Sequence, residues 1–492
     1  MEKNIEQLIN KIKEDNHNSS DIKNRILNIK NHKIGYIFLE SVSSGDVITS
    51  TIIRSITFDL KQNKTPLFSN IFNNLKNTIP NSNMSIITKY EDIFFYLSSG
   101  FTLILIEGFD KVIAFETRNE LSRGITESSS EAIIRGPKDS FTESHSTNLG
   151  LIRKRIKDKN LVIDEQTIGK RTGTKVSTIY IYDIADNKKV NKIIDKLKTI
   201  DVDGILDSGN IREFLFTKQK TVFPKVISTE RPDLVCNALL NGKIIILVEN
   251  TPYALIVPAL FVDFFHSPED YYQKPANVTF TRILRFCAFF LTLFIPALYI
   301  SIMTFNIDIL PEQLLISLYY QRLSVPFPTS LEVIILLIIF EILRECDIRT
   351  PNAMGASMSI VGGLVLGDAA VSAGVVSPIC IIIVAITSIS GLLFSDIDMI
   401  NGIRFWRLLF ILFSTFFGII GFTLCLILFI IKLAHIKTLD IDYLSPISPF
   451  NFIGIKNSII RIPKNIDKER PEYLSKQNKY KLGGKKWKKR SF

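Results

Sequence analysis

The stretch Phe286-Cys-Ala-Phe-Phe-Leu-Thr-Leu-Phe-Ile-Pro-Ala-Leu-Tyr-Ile-Ser-Ile-Met-Thr-Phe305 contains no charged side chain. An α-helix rises about 1.5 Å per residue, so this run matches the roughly 30 Å hydrocarbon core of a bilayer. The mean hydropathy of the chain is +0.22 although 22% of its residues are charged, so polar and apolar residues are segregated along it. The stretch therefore predicts a membrane-spanning helix.

Three further apolar runs follow it, Val333–Phe340, Ser377–Phe394 and Leu408–Ile431. The first of them is short, so spanning there requires flanking residues and neighbouring helices. We therefore predict an all-α, multi-pass membrane domain over residues 280–434 with four spans. On this interpretation the glycine-rich segment Gly355–Val376 is re-entrant or lies buried in protein.

The N-terminal half is rich in charge and mixes strand and helix signals. Apolar and β-branched runs predict strands, some of them paired into hairpins by short turns. The runs are Phe101–Glu107, Lys111–Thr117, Val176–Tyr182, Val202–Leu206, Lys243–Glu249 and Ala254–Val257. Helical spacing of apolar residues begins behind Asp186. We predict a soluble α/β domain over residues 81–275, as one body or two subdomains, after a polar N-terminal segment over residues 1–80.

The positive charge is concentrated at the C-terminus. Residues 456–492 hold thirteen Lys or Arg and three acids, a net of +10, so 11 − 10 leaves about +1 for the rest of the chain. A balanced remainder offers no basic surface to nucleic acid. The tail over residues 435–492 is expected to face anionic lipid or to be a disordered solubilising segment. Its candidate lipid-facing residues are Lys485, Lys486, Lys488, Lys489 and Arg490.

The two ends of the chain predict its orientation. The first twenty residues carry charge but lack the apolar core of a secretory signal, so the N-terminal half is expected in the cytoplasm. The positive-inside rule places the basic tail on the same side. Termini on one side require an even number of crossings, which favours four spans over five.

Enzyme and metal signatures are missing from the sequence. The five cysteines are scattered with no pair closer than 34 residues, so neither a zinc site nor a disulfide framework is indicated. Gly169–Lys175 looks like a phosphate loop, but its lysine does not directly follow the second glycine. We therefore expect no catalytic activity, no metal and no cofactor.

Small residues recur every four positions in the glycine-rich segment. They are Gly355, Ser359, Gly363 and Gly367, and Asp368 follows them. Such spacing puts small residues on one helix face, where helices approach closely in lipid. A carboxylate in an apolar segment is costly unless it faces water, a partner or a pathway. The segment therefore predicts either a narrow pore or ordinary helix packing.

A second candidate region mixes acids and bases in a loop. It contains Arg135, Gly136, Pro137 and Glu143. From the residues alone, such a loop is typical of a solvated surface with weak local ion pairs.

Several blocks of the sequence, in order between about residues 40 and 450, together resemble the GerA family of spore germinant receptors, and its A subunit in particular. The blocks are Glu107–Lys111, Arg135–Pro137, Phe141–Glu143, Asn148–Arg153, Thr229–Asp233, Gly242–Pro252, Ser267–Tyr272, Leu343–Glu345, Ser359–Gly363, Gly367–Val371, Val376–Pro378 and Tyr443–Pro446. Ser128 and Ser140 depart from the pattern, where proline and glycine would be expected.

The resemblance implies a subunit of a nutrient-sensing receptor in the spore inner membrane of an endospore-forming bacterium. It implies a transporter-like B subunit and a lipoprotein C subunit as partners, and an oligomer of the A subunit that forms a ligand-gated ion channel. Two alternatives stay open. One is the A-like protein of the SpoVA group acting in ion release, and the other is a non-conducting scaffold subunit.

Overall fold

The computed structural model describes residues 2–29, 32–54, 84–119, 131, 133–216, 221–349, 367–463, 465–475 and 477–481. The chain forms two compact units. The α/β unit comprises Met1–Lys218, Val226–Pro258 and Lys464–Phe492, and the helical unit comprises Gln219–Lys225 and Ala259–Pro463. The predicted tail is thus divided, since residues 435–463 belong to the helical unit and the described residues beyond 464 belong to the α/β unit.

The first part of the α/β unit is an antiparallel five-stranded sheet with the order β1-β2-β4-β5-β3. Its strands are β1 (Ile22–Ile29), β2 (His32–Leu39), β3 (Met84–Ile87), β4 (Phe101–Ile106) and β5 (Val112–Glu116). One face is covered by the helices α1 (Ile5–Asp15) and α2 (Ile93–Ser98). Asn4 caps α1, and the apolar residues at helical spacing in α1 are all buried against the sheet.

The second part repeats this architecture with the strand order β6-β7-β9-β10-β8. Its strands are β6 (Leu161–Ile168), β7 (Thr174–Ile181), β8 (Ile227–Thr229), β9 (Ile244–Val248) and β10 (Ala254–Val257). Its helices are α3 (His145–Arg155), α4 (Asn187–Lys198), α5 (Ser208–Phe216) and α6 (Pro232–Leu240). α3 and α6 share one core with the sheet, as α1 and α2 do in the first part.

The two sheets therefore have the same topology. In each, a helix precedes a hairpin of two eight-residue strands, the third strand lies at the far edge, and a helix leads into a second hairpin between them. We call these parts the first half and the second half of the α/β unit. The predicted α/β architecture is confirmed. β1 and β2 come from the predicted polar segment 1–80 and pair in the same sheet as β4 from the predicted domain 81–275.

A buried ion pair joins the two halves. Arg153 on α3 donates from Nε and from a terminal nitrogen to the two carboxylate oxygens of Asp21, both at 3.0 Å. Ser19 and Ser41 also donate to Asp21, at 2.7 and 3.1 Å. The Arg153 and Asp21 side chains are 1% and 3% exposed, so the pair is shielded from solvent. Such a buried pair is stable only because every charged atom has partners.

The helical unit contains three long apolar helices and several shorter elements. Its helices are α7 (Pro275–Phe305), α8 (Glu312–Arg322), α9 (Thr329–Arg349), α10 (Pro378–Gly391), α11 (Ile397–His435) and α12 (Phe452–Ile459), and its short strands are β11 (Lys437–Thr438) and β12 (Ile441–Asp442). Of the described helices, α7 and α11 are long and apolar enough to cross a membrane by length and composition. α10 is a shorter apolar helix.

α11 reverses its direction at Gly418. This residue has φ +56° and ψ −137°, a conformation that residues other than glycine rarely adopt. The rings of Phe410 and Phe422 are 5.4 Å apart, and those of Trp406 and Phe429 are 5.0 Å apart. A straight helix would separate Trp406 from Phe429 by roughly 35 Å. α11 is therefore a hairpin of two antiparallel halves, and the prediction of one continuous span over Leu408–Ile431 is wrong.

The long helices α7 and α11 lie side by side, and the two ends of this group can be defined by their aromatic residues. We call the end that contains Phe265, Phe289 and Phe429 the base end, because their rings lie together there. We call the end that contains Phe305 and Gly418 the tip end, where a side chain on the glycine would lie 2.8 Å from the phenylalanine ring. α7 runs from the base end to the tip end, and the halves of α11 run to the tip and back.

Most of the predicted strands lie where the sequence placed them. Both predicted hairpins are present, as β4–β5 and β9–β10, and Asp186 caps α4 through a hydrogen bond from the Lys188 amide. The predicted strand Val202–Leu206 is wrong. The carbonyls of Val202 and Asp203 accept hydrogen bonds from the turn at residues 170 and 171, so this segment is held as an irregular connection.

Candidate functional site at the base end of the helical unit

Asp270 is the centre of a buried ion cluster at the base end. α7 presents Arg282 and Arg285 to it from neighbouring turns of one helix. Arg282 Nε donates to Asp270 Oδ2 at 2.8 Å, and Arg285 donates to the same oxygen at 3.0 Å. Burial raises the pKa of Asp270, but the hydrogen bonds from Arg285 and Arg282 outweigh it and leave the pKa below its ordinary value. Asp270 is therefore ionised and holds the start of α7.

The same cluster includes residues that follow the last long helix. Arg282 also donates to the carbonyl oxygens of Asn457 and Ser458, both at 3.2 Å. His266 Nε2 lies 2.8 Å from the Ser458 carbonyl oxygen. Burial lowers the pKa of His266 to about 4, so its ring is neutral at pH 7 and Nε2 donates. Residues before α7 and after α11 are thus bound to each other.

Aromatic side chains pack beside this cluster. The Phe261 amide donates to the Tyr443 carbonyl at 2.9 Å, and their rings are 6.0 Å apart. Phe265 stacks on Phe286 at 4.1 Å, and Phe261 contacts Phe289 at 5.4 Å. The chain therefore enters and leaves the group of long helices at one end.

Two more carboxylates of the helical unit have partners on other helices. Glu341 of α9 pairs with Arg404 and Arg407 of α11 at 2.6 and 2.9 Å, beside an apolar groove of about 500 Å³. Glu332, at the start of α9, accepts hydrogen bonds from the Ser377 amide and hydroxyl at 3.0 and 2.9 Å. Both acids bracket the predicted short run Val333–Phe340, which the structure places inside the longer helix α9.

The predicted pore residues are only partly covered by the structure. Gly355, Ser359 and Gly363 lie outside the described residues. Gly367 is half-buried, Asp368 is exposed, and a side chain added at Gly367 would meet no atom of the described residues within 4 Å. Gly367 therefore has space around it in the part of the chain that the structure describes.

The predicted motif loop is attached to the second half of the α/β unit. The Pro137 carbonyl accepts a hydrogen bond from Arg231 at 3.0 Å, and the Glu143 carbonyl accepts one from the Asn250 amide at 3.2 Å. Arg135 and Gly136 are exposed. Arg231 is 2% exposed, so its charge is held by the loop and by Asp233 at 2.9 Å. Pro137 and Glu143 thus contribute their backbone carbonyls to these contacts.

The described tail residues 465–475 and 477–481 pack in the α/β unit. Ser475 is fully buried, and its hydroxyl donates to the Ile184 carbonyl at 2.8 Å. Arg470 Nε donates to the Leu240 carbonyl at 2.8 Å. The five predicted lipid-facing residues lie outside the described residues and stay a prediction. They are Lys485, Lys486, Lys488, Lys489 and Arg490.

Comparison with known proteins identifies the family of this chain. Residues 10–473 match the family model described as Bacillus/Clostridium GerA spore germination protein. The chain belongs to the GerA family. The resemblance to a GerA-family A subunit that the sequence indicated is confirmed.

Individual GerA relatives match most of the chain. Spore germination protein KA of Bacillus subtilis (strain 168) is 37% identical over 92% of this chain and 82% of that protein. Spore germination protein GerLA of Bacillus cereus is 32% identical over 89% of this chain and 88% of that protein. The solved N-terminal domain of the A subunit of the Bacillus megaterium spore germinant receptor GerK3 is 30% identical, with a TM-score of 0.42, over 53% of this chain and 97% of that chain.

The ion cluster of this GerA-family protein was not predicted from the sequence. Ser267–Tyr272 was expected only as a family motif, and the first predicted span begins at Phe286, just beyond Arg282 and Arg285. A usable signal was present, since two arginines three residues apart share a helix face directly before the span. Asp270 is the nearest acid that precedes them.

Proposed function

We propose that this GerA-family protein spans the spore inner membrane as the A subunit of a nutrient-sensing receptor, and that copies of it form a ligand-gated ion channel. It would act with a transporter-like B subunit and a lipoprotein C subunit to trigger germination. The proposal is best supported by the contact between Phe261 and Tyr443 at the base end. The chain enters the group of long helices at Phe261 and leaves it at Tyr443, as expected of a chain that enters and leaves a membrane on one side.

The distribution of charge among the described residues supports an orientation. Near the base end the helices carry Arg282, Arg285, Arg404, Arg407 and Lys432. Around the tip end the described segments carry Asp308, Glu312, Arg322 and Asp368. Basic residues are enriched on the cytoplasmic side of membrane proteins. The base end would therefore face the spore core.

The space around Gly367 allows a direct test of the oligomeric pore. Replacing Gly367 by leucine is expected to be tolerated by the described part of one chain, because none of its atoms lies within 4 Å of the added Cβ. If copies pack closely there, the leucine blocks assembly or opening. Asp368→Asn keeps the shape and removes the charge, so it is expected to spare assembly and to change cation release.

Spores that produce each variant with its own B and C subunits would be exposed to a mixture of amino acids, inosine and glucose. Receptor level and cation release would be measured together. Ala369→Leu is the matched control, because Ala369 is exposed and lies about 200° around the helix from Gly367. Normal release at a normal receptor level in both test variants would favour the non-conducting scaffold.

A further inference from the structure

The apolar groove beside Glu341 lies between α9 and the first half of the α11 hairpin, within the helical unit. Ile338 and Leu408 line it from the two sides, and both are exposed. The groove is therefore open on the surface of the described part of this unit. Its other apolar lining residues are Ile334, Leu337, Ile342 and Ile411.

The charged residues of the groove lie toward its base end. They are Glu341 and Glu345 on α9, and Arg404 and Arg407 on α11. Further from the base end, the lining is apolar on both helices. Leu408 and Ile411 follow on α11 in the direction of Gly418, and residues 334–338 precede the glutamates on α9. The groove thus has a charged end and an apolar end.

The charged end lies at the height where α11 becomes apolar. Arg404 and Lys432 are each fourteen residues from Gly418, on opposite halves of the hairpin. Both are roughly 21 Å from the reversal, because a helix rises 1.5 Å per residue. Residues 408–431 contain no charged side chain. In a membrane, the boundary of the hydrocarbon core would therefore pass near Arg404, with the apolar part of the groove inside the core.

The charged end carries more positive than negative charge. Glu341 accepts a hydrogen bond from Arg407 at 2.9 Å and pairs with Arg404 at 2.6 Å. The side chain of Arg407 is 9% exposed and that of Arg404 is 30% exposed, so Arg404 is the more accessible guanidinium. Arg344 and Glu345 interact electrostatically beside them and add one charge of each sign. These five residues therefore sum to one positive charge.

We propose that the groove binds an anionic phospholipid, with its phosphate on Arg404 and one acyl chain along Ile338 and Leu408. A guanidinium group matches the geometry of a phosphate, and one phosphodiester charge balances the excess of one positive charge. Basic pockets between membrane helices on the cytoplasmic side are known sites for anionic headgroups. The inference rests on the proposed function only for the membrane position and orientation of the helical unit.

A helix of a second copy is the alternative occupant of an apolar groove. An apolar helix would cover the walls but leave the positive charge without a partner in a poorly solvated place, which is costly. A phospholipid supplies the negative charge and the apolar chain in one molecule, in the order in which the groove presents their counterparts. The groove therefore fits a lipid better than a second copy.

Photochemical capture in a bilayer tests the proposal with the full-length protein. The protein would be placed in phosphatidylcholine nanodiscs that contain a small fraction of phosphatidylglycerol with a photoreactive group in one acyl chain. Phosphatidylcholine with the same chain serves as the comparison. Mass spectrometry would measure attachment to the lining residues of α9 and α11. We expect capture of phosphatidylglycerol to exceed that of phosphatidylcholine by about fivefold, as for one basic residue near a membrane surface.

Charge variants change this capture ratio in opposite directions. Arg404→Gln is expected to lower the ratio by about fivefold, and Glu341→Gln to raise it by a similar factor, because the second variant leaves more positive charge. A merely structural role of the ion pair would lower capture in both variants. Lys432→Gln is the matched control, since it removes one charge at the same height and Lys432 does not line the groove. Any enrichment of lipid by the basic tail is the same in all variants.

A steric variant tests the acyl-chain part separately. Ile338→Trp fills the groove without changing charge, so capture of both lipids is expected to fall several-fold. Ile335→Trp is the matched control, because Ile335 is exposed on the same helix and does not line the groove. An excess of inorganic phosphate at constant ionic strength should leave capture unchanged, and displacement by it would overturn the acyl-chain part.

Three further results would contradict the proposal. Equal capture of the two lipids by the wild type, or a ratio that Arg404→Gln leaves unchanged, would overturn the anionic site and leave the proposed function intact. Loss of self-association in Ile338→Trp with unchanged lipid capture would assign the groove to a second copy. Failure of the full-length protein to enter nanodiscs would overturn the membrane position in the proposed function as well.

Discussion

The two halves of the α/β unit share one topology but differ in what is attached to them. Among the described residues, the motif loop and the tail segment up to residue 481 are both attached to the second half. The first half supplies Asp21 to the joint between the halves. The two copies of this fold therefore differ in their contacts. The first half contributes to the joint between the halves, and the second half also binds the loop and the tail segment.

The edge strands show this contrast most clearly. β3 and β8 occupy the same position in their sheets. An edge strand exposes unpaired backbone groups that other segments can use. In the second half, the backbone directly after this strand lies beside Glu131, which accepts a hydrogen bond from the Glu230 amide. Two sheets of the same topology can therefore bind different segments of the chain. The comparison can be tested by weakening in turn the joint between the halves, the contact of the motif loop and the contact of the tail.

The largest effect is expected at the joint between the halves. Asp21→Asn removes the charge that neutralises Arg153 in a solvent-shielded site, and losing one partner of such a pair costs about 3–5 kcal/mol. Hydrogen exchange of the Ser20 amide, which donates to Ile163 across the joint, would report the loss in the full-length protein. Asp139→Asn is the control, since its pair with Arg155 is partly exposed and contributes below about 1 kcal/mol. Equal effects would show that the halves are held together by other contacts.

An intermediate effect is expected from pH at the second half. Burial raises the pKa of Glu131 from its ordinary 4.5 to about 7, although hydrogen bonds from Thr229 and Glu230 oppose the shift. The attached loop therefore holds a proton that the detached loop releases, so the attachment weakens as pH rises from 4.5 to 7 and is constant above that. Between pH 6 and pH 8 the opening constant is expected to rise about tenfold.

Hydrogen exchange of the Glu230 amide, corrected for its intrinsic dependence on pH, would measure this change. Glu131→Gln keeps an acceptor for the Thr229 hydroxyl and cannot ionise, so its opening constant is expected to be independent of pH. A pH dependence that survives in Glu131→Gln would assign the effect to another group.

The smallest effect is expected where the tail packs on the second half. Ser475→Ala leaves the Ile184 carbonyl without its hydrogen bond, which costs about 1 kcal/mol. The tail of the full-length protein should then be cleaved by protease several times faster. Gln477→Ala changes an exposed neighbour and should leave cleavage unchanged. Unchanged cleavage in Ser475→Ala would mean that the remaining tail contacts suffice.

Local patterns predicted much of the fold, because a hairpin or an amphipathic helix is encoded by nearby residues. The hairpin β4–β5 and the helix α1 are of this kind. The pairing of β2 with β4 joins residues far apart in sequence, and alternation alone does not specify a distant partner. This is why the duplication of the sheet was not visible in the sequence.

The candidate site was harder to predict for the same physical reason. An apolar run indicates that its residues are shielded from water, but it does not indicate where a helix reverses its direction. Gly418 and Gly421 are the only local sign of the reversal within Leu408–Ile431. Asp270 and Ser458 come together only through the folded chain, so their ion cluster has no signature in either segment alone.

The reversal at Gly418 has a consequence for where an epitope can be inserted into this protein. A turn formed by one glycine, against which Phe305 packs, presents no loop that an antibody or a protease could recognise. The connection between α7 and α9 is longer and includes the exposed residues Tyr319 and Tyr320. An epitope inserted beside α8 should therefore be accessible, whereas one inserted at Gly418 should abolish the fold of the hairpin.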